Sequence, residues 1–306
     1  EQVIADPQSS EETRARLRLS QEARGFAVQE LGLPDGKSFR EYADLERPFA
    51  VWNVVATPEF SVEPRRWCFP VAGCVAYRGY FDESRAHAAA QRLARRGDDV
   101  TVGGVATYST LGRLSDPVFN TMLGWTETRF VGTIFHELAH ERLYVAGDSE
   151  FSEAFASVVE QEGLRQWLLK RGAVTALERR RESTSREAEF AALLRATRDR
   201  LDRLYASGID AAGLRVEKQR EFGRLKFEYT RLRARWGGYA GYDAWFARTL
   251  NNAHLAAVAT YHDCVPGLQR ELAVAGSLAA FYERAAALAE LSQQRRRDAV
   301  CVESAP

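Results

Sequence analysis

The sequence predicts an α+β protein, mostly helical, with a small, mainly antiparallel sheet and a long helical hairpin. Three observations carry this. β-Branched and aromatic residues concentrate between positions 48 and 110, where "FAVWNVVAT" (49–57), "GCVAYRGYF" (73–81) and "VTVGGVATYST" (100–110) read as strands. From 117 to 170 apolar residues recur at helical spacing, interrupted at "GDS" (147–149). Beyond Gly172, two arginine-rich stretches, 176–206 and 211–236, keep the helical period on either side of "SGIDAAG" and predict an antiparallel pair.

Taken in order, a first helix spans 9–31. Ser9 or Ser10 caps it, Glu11 and Glu12 occupy its first turn, and Leu17, Leu19, Ala23, Phe26, Ala27 and Leu31 form its apolar stripe. "GLPDG" breaks it, and a short helix over 38–46 is expected next. Within the β region, "DESRAHAAAQRLARRG" (82–97) is helical by composition and closed by Gly97. After the hairpin, "GGYAGYDAWF" (237–246) leads into a helix over 243–260, and "VPG" (265–267) precedes two short helices ending near 292. This suggests one unit over 1–306, with N-terminal helices (1–47), a small sheet (48–112), a helix pair (113–172), the hairpin (173–242) and C-terminal helices (243–306). There is no internal repeat.

The chain of 306 residues carries 42 basic and 42 acidic side chains. With no net charge, no overall field draws it to nucleic acid, and the alternating charges of the hairpin read as a solvated face. No run of 18 apolar residues offers a membrane span. The opening "EQVIADPQSS" has neither an initiator methionine nor a signal sequence, so the numbered chain reads as a mature or trimmed product. Cys68, Cys74, Cys264 and Cys301 form no CxxC pair. Three disulfide connectivities are open, the simplest joining Cys68 to Cys74 and Cys264 to Cys301, and four buried thiols are the other reading.

The chemistry concentrates in "FHELAHERLYVAGDSEFSEAF" (135–155). His136 and His140, four residues apart, share one face of a helix and can offer two nitrogens to one Zn²⁺. Glu137 lies beside that face, placed to take a proton from water at the metal as general base. Chance alone yields HExxH in about one chain in a hundred of this composition. The apolar neighbours Ile134, Phe135, Leu138, Ala139 and Leu143 bury the helix, however, and buried histidines need partners. No histidine follows within a hundred residues, which argues against a three-histidine HExxHxxGxxH site and points to the nearby carboxylates Asp148, Glu150, Glu153, Glu160 and Glu162. Gly147 permits a left-handed turn, Asp148 or Ser149 can cap a second helix, and small Ala154, Ala156 and Ser157 let it pack back. Glu153 then faces the histidines. Glu150 sits nearer the turn, and Glu160 and Glu162 are expected to overshoot.

These residues, with "WCFPVAGCVAYRGYF" (67–81), "YSTLGRLSDPVFNTML" (108–123) and "LNNAHLAAVATYHDCVP" (250–266), resemble the bacterial putative (predicted) aminopeptidases over roughly 20–290. The resemblance implies a zincin-like metallopeptidase of gluzincin type, with a glutamate ligand from an "NE" pair on the second helix. Here the pair is Ser152-Glu153, a departure that touches only the neighbour of the ligand. It further implies a peptide substrate, real disulfides, and a periplasmic place in the cell envelope with a lipid anchor outside this chain. The rival readings are a catalytically weak zinc-containing scaffold and an amidase acting on cell-wall peptides.

Around the metal, Gly103 and Gly104 in the edge strand suit close approach of an extended substrate. An oxyanion donor is also required. Tyr261 fits that role by chemistry, ahead of His254, His262 and Arg78. Asn251 and Asn252 could hold substrate amides or buttress their helix, Glu59 could receive a substrate amine, and His87 reads as merely exposed.

Overall fold

The computed structural model describes residues 2–69, 73–108, 115–259 and 264–301. Its elements are α1 (Gln2–Ala5), α2 (Glu11–Gln29), β1 (Tyr42–Ala43), β2 (Val51–Pro58), β3 (Trp67–Phe69), β4 (Gly73–Val75), β5 (Arg78–Tyr80), α3 (Glu83–Ala94), β6 (Asp98–Val105), β7 (Val118–Phe119), a 3₁₀ turn at Asn120–Met122, α4 (Glu127–Arg142), α5 (Ser149–Lys170), α6 (Val174–Tyr205), α7 (Ala211–Arg235), α8 (Asp243–Phe246), α9 (Asn252–Ala259), α10 (Val265–Ala275), α11 (Leu278–Ala289) and α12 (Gln293–Val300). The protein is mostly helical with small sheets, an α+β chain as its sequence suggests. Its residues group into two units assembled from separate segments rather than in chain order.

The first unit takes residues 1–51, 104–177 and 261–306. Its core is built on α4 and α5, whose Phe130, Ile134, Phe135, Leu138, Phe151, Phe155 and Val159 are fully buried. Phe155 stacks on Phe281 of α11 at 5.6 Å, and Phe26 of α2 meets Phe135 at 5.8 Å. Each such side chain contributes about 1.5–3 kcal/mol by leaving water. Two glycines let α4 and α5 approach closely. A Cβ on Gly163 would lie 2.9 Å from Phe135, and one on Gly132 would lie 2.8 Å from Leu164.

The second unit takes residues 52–103 and 178–260. Its three-stranded sheet has the order β5-β2-β6, with β2 and β5 antiparallel through Trp52–Tyr80 and Val54–Arg78. α6 and α7 form the expected hairpin around Phe190, Leu194, Leu201, Phe222 and Leu225. The charges of the pair largely satisfy one another, as where Arg200 meets Glu221 at 2.7 Å and Glu228 at 3.1 Å.

Four local expectations are corrected. No helix spans 38–46. Phe39 and Glu46 adopt positive φ (59° and 52°), and Tyr42–Ala43 pairs in parallel with Val118–Phe119. That pairing takes backbone groups a helix would use, with Val118 N–H donating to Glu41 O at 2.8 Å. The strand expected at 73–81 divides into β4, paired with β3, and β5, paired with β2. The helix expected over 243–260 divides into α8 and α9, because the Asp99 carboxylate accepts from Asn252 N–H at 2.9 Å and starts α9 afresh. A third terminal helix, α12, was hidden by its polar sequence "QQRRRDAV" and starts where Ser292 caps Arg295 N–H. Cys68–Cys74 and Cys264–Cys301 are both disulfides, the first stapling the β3–β4 hairpin.

Candidate metal centre

α4 is capped by Thr126, whose hydroxyl accepts from Arg129 N–H, and ends at Arg142. Extended backbone follows. Gly147 turns the chain at φ 83°, and Asp148 caps α5 by accepting from Phe151 N–H at 3.2 Å. Ser152 accepts from Val145 N–H at 3.1 Å and is itself buried. Its hydroxyl therefore fastens this turn to the helix that carries Glu153.

The turn brings the two helices together as the spacing requires. His136 Nε2 lies 3.2 Å from Glu153 Oε2, and His140 Nε2 lies 3.7 Å from Glu153 Oε1. The imidazole centroids are 4.9 Å apart, nearly perpendicular. One potential ligand atom from each of His136, His140 and Glu153 lies within 4.8 Å of the others. For bonds of about 2.0–2.1 Å to a tetrahedral Zn²⁺, ligand atoms sit about 3.3 Å apart, so the spacing and the N₂O donor set both fit that ion. A second cluster, Glu150 with Cys264 and Cys301, does not fit, since both sulfurs are committed to a disulfide. Glu150 instead pairs with Arg297 at 3.5 Å.

The imidazoles and carboxylates of this cluster shift one another's protonation. Burial opposes a charge on His136, but contacts with Glu153 and Glu160, and the nearby Glu137, hold its pKa well above the usual imidazole value. Burial likewise opposes charge on Glu153, and His136 and His140 overcome it, driving the carboxyl far below the ordinary range. Glu137 stands on α4 beside the histidine face, partly buried.

Glu160 corrects the sequence reading. It does not overshoot: its Oε2 lies 3.3 Å from His136 Nδ1, on the far side of the ring from Glu153. Two α5 residues seven positions apart share one helical face, a spacing the sequence already contained. Gly132, one turn before His136, makes the approach possible, because a Cβ there would lie 2.9 Å from Glu160 Oε1. Among the described residues the other histidine, His140, has no such support, and its buried Nδ1 meets no hydrogen-bond partner. Tyr144 was also missed. Four residues past His140, its ring meets the imidazole edge-on at 6.0 Å. Burial raises its pKa, Ser149 beside it works the other way, and Glu153 adds to the rise.

The remaining candidates lie elsewhere in the chain. Tyr261 and His262 fall outside the described residues. His254 is a core residue: Nδ1 is 2.8 Å from Asn251 Oδ1 and Nε2 is 3.2 Å from Thr101 Oγ1, and burial lowers its pKa to about 4. Asn252 is fully buried, accepting from Tyr205 and donating to Glu59 O, so it is a buttress. Glu59 is held by both ends of Arg215 at 2.6 and 2.9 Å, which commits the carboxylate proposed for a substrate amine. Gly103 is exposed on the edge strand β6, with open space where a Cβ would stand. At Gly104 the space is already used, because a Cβ would meet the ring of Phe49. Arg78 is exposed with its guanidinium over Tyr80, and His87 is exposed near Glu83.

A family model described as "Putative aminopeptidase" matches residues 1–300. The chain belongs to that family. No curated protein and no solved structure matches it.

Proposed function

We propose that this protein is a zinc-dependent peptidase that hydrolyses peptide bonds, with His136, His140 and Glu153 as metal ligands and Glu137 as general base. The observation that carries this reading is the convergence of two imidazoles from α4 and one carboxylate from α5, with one ligand atom of each within 4.8 Å of the others. Family membership supports the peptidase class.

When bound, zinc supplies a Lewis acid that polarises a carbonyl and makes water nucleophilic near neutral pH. The residues do the rest. His136, His140 and Glu153 would hold the ion, a three-residue ligand set of the kind catalytic zinc sites use. Glu160 accepts from His136 Nδ1–H and so fixes that ring with Nε2 towards the ion. Glu137 accepts a proton from the attacking water as the new carbon–oxygen bond forms. It returns that proton to the departing nitrogen as the carbon–nitrogen bond breaks. Tyr261 is the proposed donor to the oxyanion.

An oxidising envelope compartment, with a lipid anchor outside this chain, belongs to the same proposal. Two disulfides support the oxidising compartment. Among the described residues, no helix is long and apolar enough to cross a membrane.

The test is a mass-spectrometric profile of cleavage on a peptide mixture, with muropeptides alongside. The reading expects peptide-bond cleavage by the zinc-loaded protein, abolished by chelation and by Glu137→Gln. Cleavage confined to muropeptides, or none by zinc-loaded wild type, would contradict it.

A further inference from the structure

Glu153 is the fifth residue of α5, so where that helix starts decides whether its carboxylate meets the histidines. The start hangs on Asp148. One of its oxygens caps Phe151 N–H at 3.2 Å, and the other accepts from Arg296 Nε at 2.8 Å. Arg296 is an unusual partner, because its side chain is only 4% exposed. Its Nη1 donates to the carbonyls of Leu288, Ala289 and Leu291 at 3.2, 2.7 and 3.0 Å, at and just beyond the end of α11. Its guanidinium also lies 5.2 Å from the centre of the Phe151 ring. One side chain thus satisfies the C-terminal carbonyls of α11 and neutralises the N-cap of α5.

α12 has little apolar surface of its own, burying only Arg296 and Val300. It is held from both sides. Cys301, immediately after α12, is bonded to Cys264, immediately before α10. The backbone of Val300 lies so close to Gly267 that a Cβ there would collide with it. Arg297 adds a second tie to α5, meeting Glu150 at 3.5 Å.

We propose that Arg296 is a positioning residue for the metal: with α12 anchored by Cys264–Cys301, it fixes the first turns of α5 so that Glu153 reaches His136 and His140. This rests on the metal-centre reading of those three residues. Without Arg296, Asp148 is a buried charge with no counter-ion, and the cheapest relief is to fray residues 149–152 towards water. Fraying carries Glu153 away from the imidazoles.

The experiment measures zinc affinity by competition with a chromophoric chelator on the full chain, for wild type, Arg296→Met and Arg296→Lys. Thermal unfolding with and without zinc is measured in parallel. Arg296→Met is expected to weaken zinc binding about tenfold or more, with Arg296→Lys between it and wild type. Zinc then raises the Tm of Arg296→Met less than that of wild type, because ligand stabilisation follows affinity. A purely structural arginine would lower both Tm values alike and leave the zinc Kd unchanged, which would overturn the proposal. If Arg296→Met does not fold, Arg296→Lys decides on the same readout, and an unchanged Kd overturns it. Wild type without zinc affinity would overturn the metal reading and this inference together. Equal affinities in wild type and variants would overturn this inference alone.

Discussion

Replacing Gly132 by alanine separates the chemistry of the centre from the stability of the fold. In an ordinary helix the change gains about 0.5–1 kcal/mol. Here the new methyl would stand 2.8 Å from Leu164 Cδ1, 2.9 Å from Glu160 Oε1 and 3.3 Å from Glu160 Cγ. The nearest of these are the ends of flexible side chains, so they swing aside while α4 and α5 stay packed. The overpacking cost then falls at the low end of the usual range, about 1 kcal/mol, and the two effects nearly cancel. What the swing gives up is the 3.3 Å contact between Glu160 and His136 Nδ1. Losing such an outer partner lowers metal affinity about 10–100-fold, equivalent to about 1.4–2.7 kcal/mol. Urea unfolding and chelator competition on Gly132→Ala should therefore show stability within about 1 kcal/mol of wild type and clearly weaker zinc binding. Gly163→Ala is the contrast. Its methyl would press on Leu31 and Phe135 in the core, destabilising by about 1–3 kcal/mol with a far smaller effect on zinc. A Gly132→Ala protein that binds zinc like wild type would refute the assignment of Glu160 to His136.

Glu137→Gln should keep its zinc and fold while losing about 10²-fold or more in kcat, read by single-turnover cleavage of a fluorogenic peptide. Asn252→Ala removes the amide that joins Tyr205 to Glu59 O and should cost about 2–3 kcal/mol in urea unfolding, with zinc affinity intact. His254 gives a pH signature. Its folded pKa of about 4 lies below the ordinary 6.5, so the unfolded chain binds the proton more readily. Its contribution to stability is therefore complete above pH 6.5 and is lost as pH falls towards 4, by about 3 kcal/mol, and His254→Gln should flatten that part of the profile.

The parts of the fold written in local chemistry were legible in the sequence. Ser10 caps α2, Gly147 and Asp148 reverse the chain between α4 and α5, and the arginine-rich hairpin turns at Gly208 with Asp210 capping α7. The meeting of His136, His140 and Glu153 was legible for the same reason. His136, His140 and Glu153 lie within eighteen residues on two helices joined by a short turn, so helical geometry alone nearly fixes their meeting. Features set by distant partners were not. Residues 38–46 have helical composition, yet pairing with Val118–Phe119 wins. α9 begins where Asp99, some 150 residues earlier, caps it. α12 has too polar a sequence to announce itself and depends on Cys301 and the buried Arg296. Glu160 was visible but misjudged, because its reach depends on a glycine in the opposing helix rather than on its own spacing.

The most direct test of the account is the metal content of the purified full chain, by native mass spectrometry without chelators. It predicts one zinc per chain in wild type and in Glu137→Gln, and loss of that zinc in His140→Ala. A metal-free wild type, or undiminished zinc in His140→Ala, would contradict it.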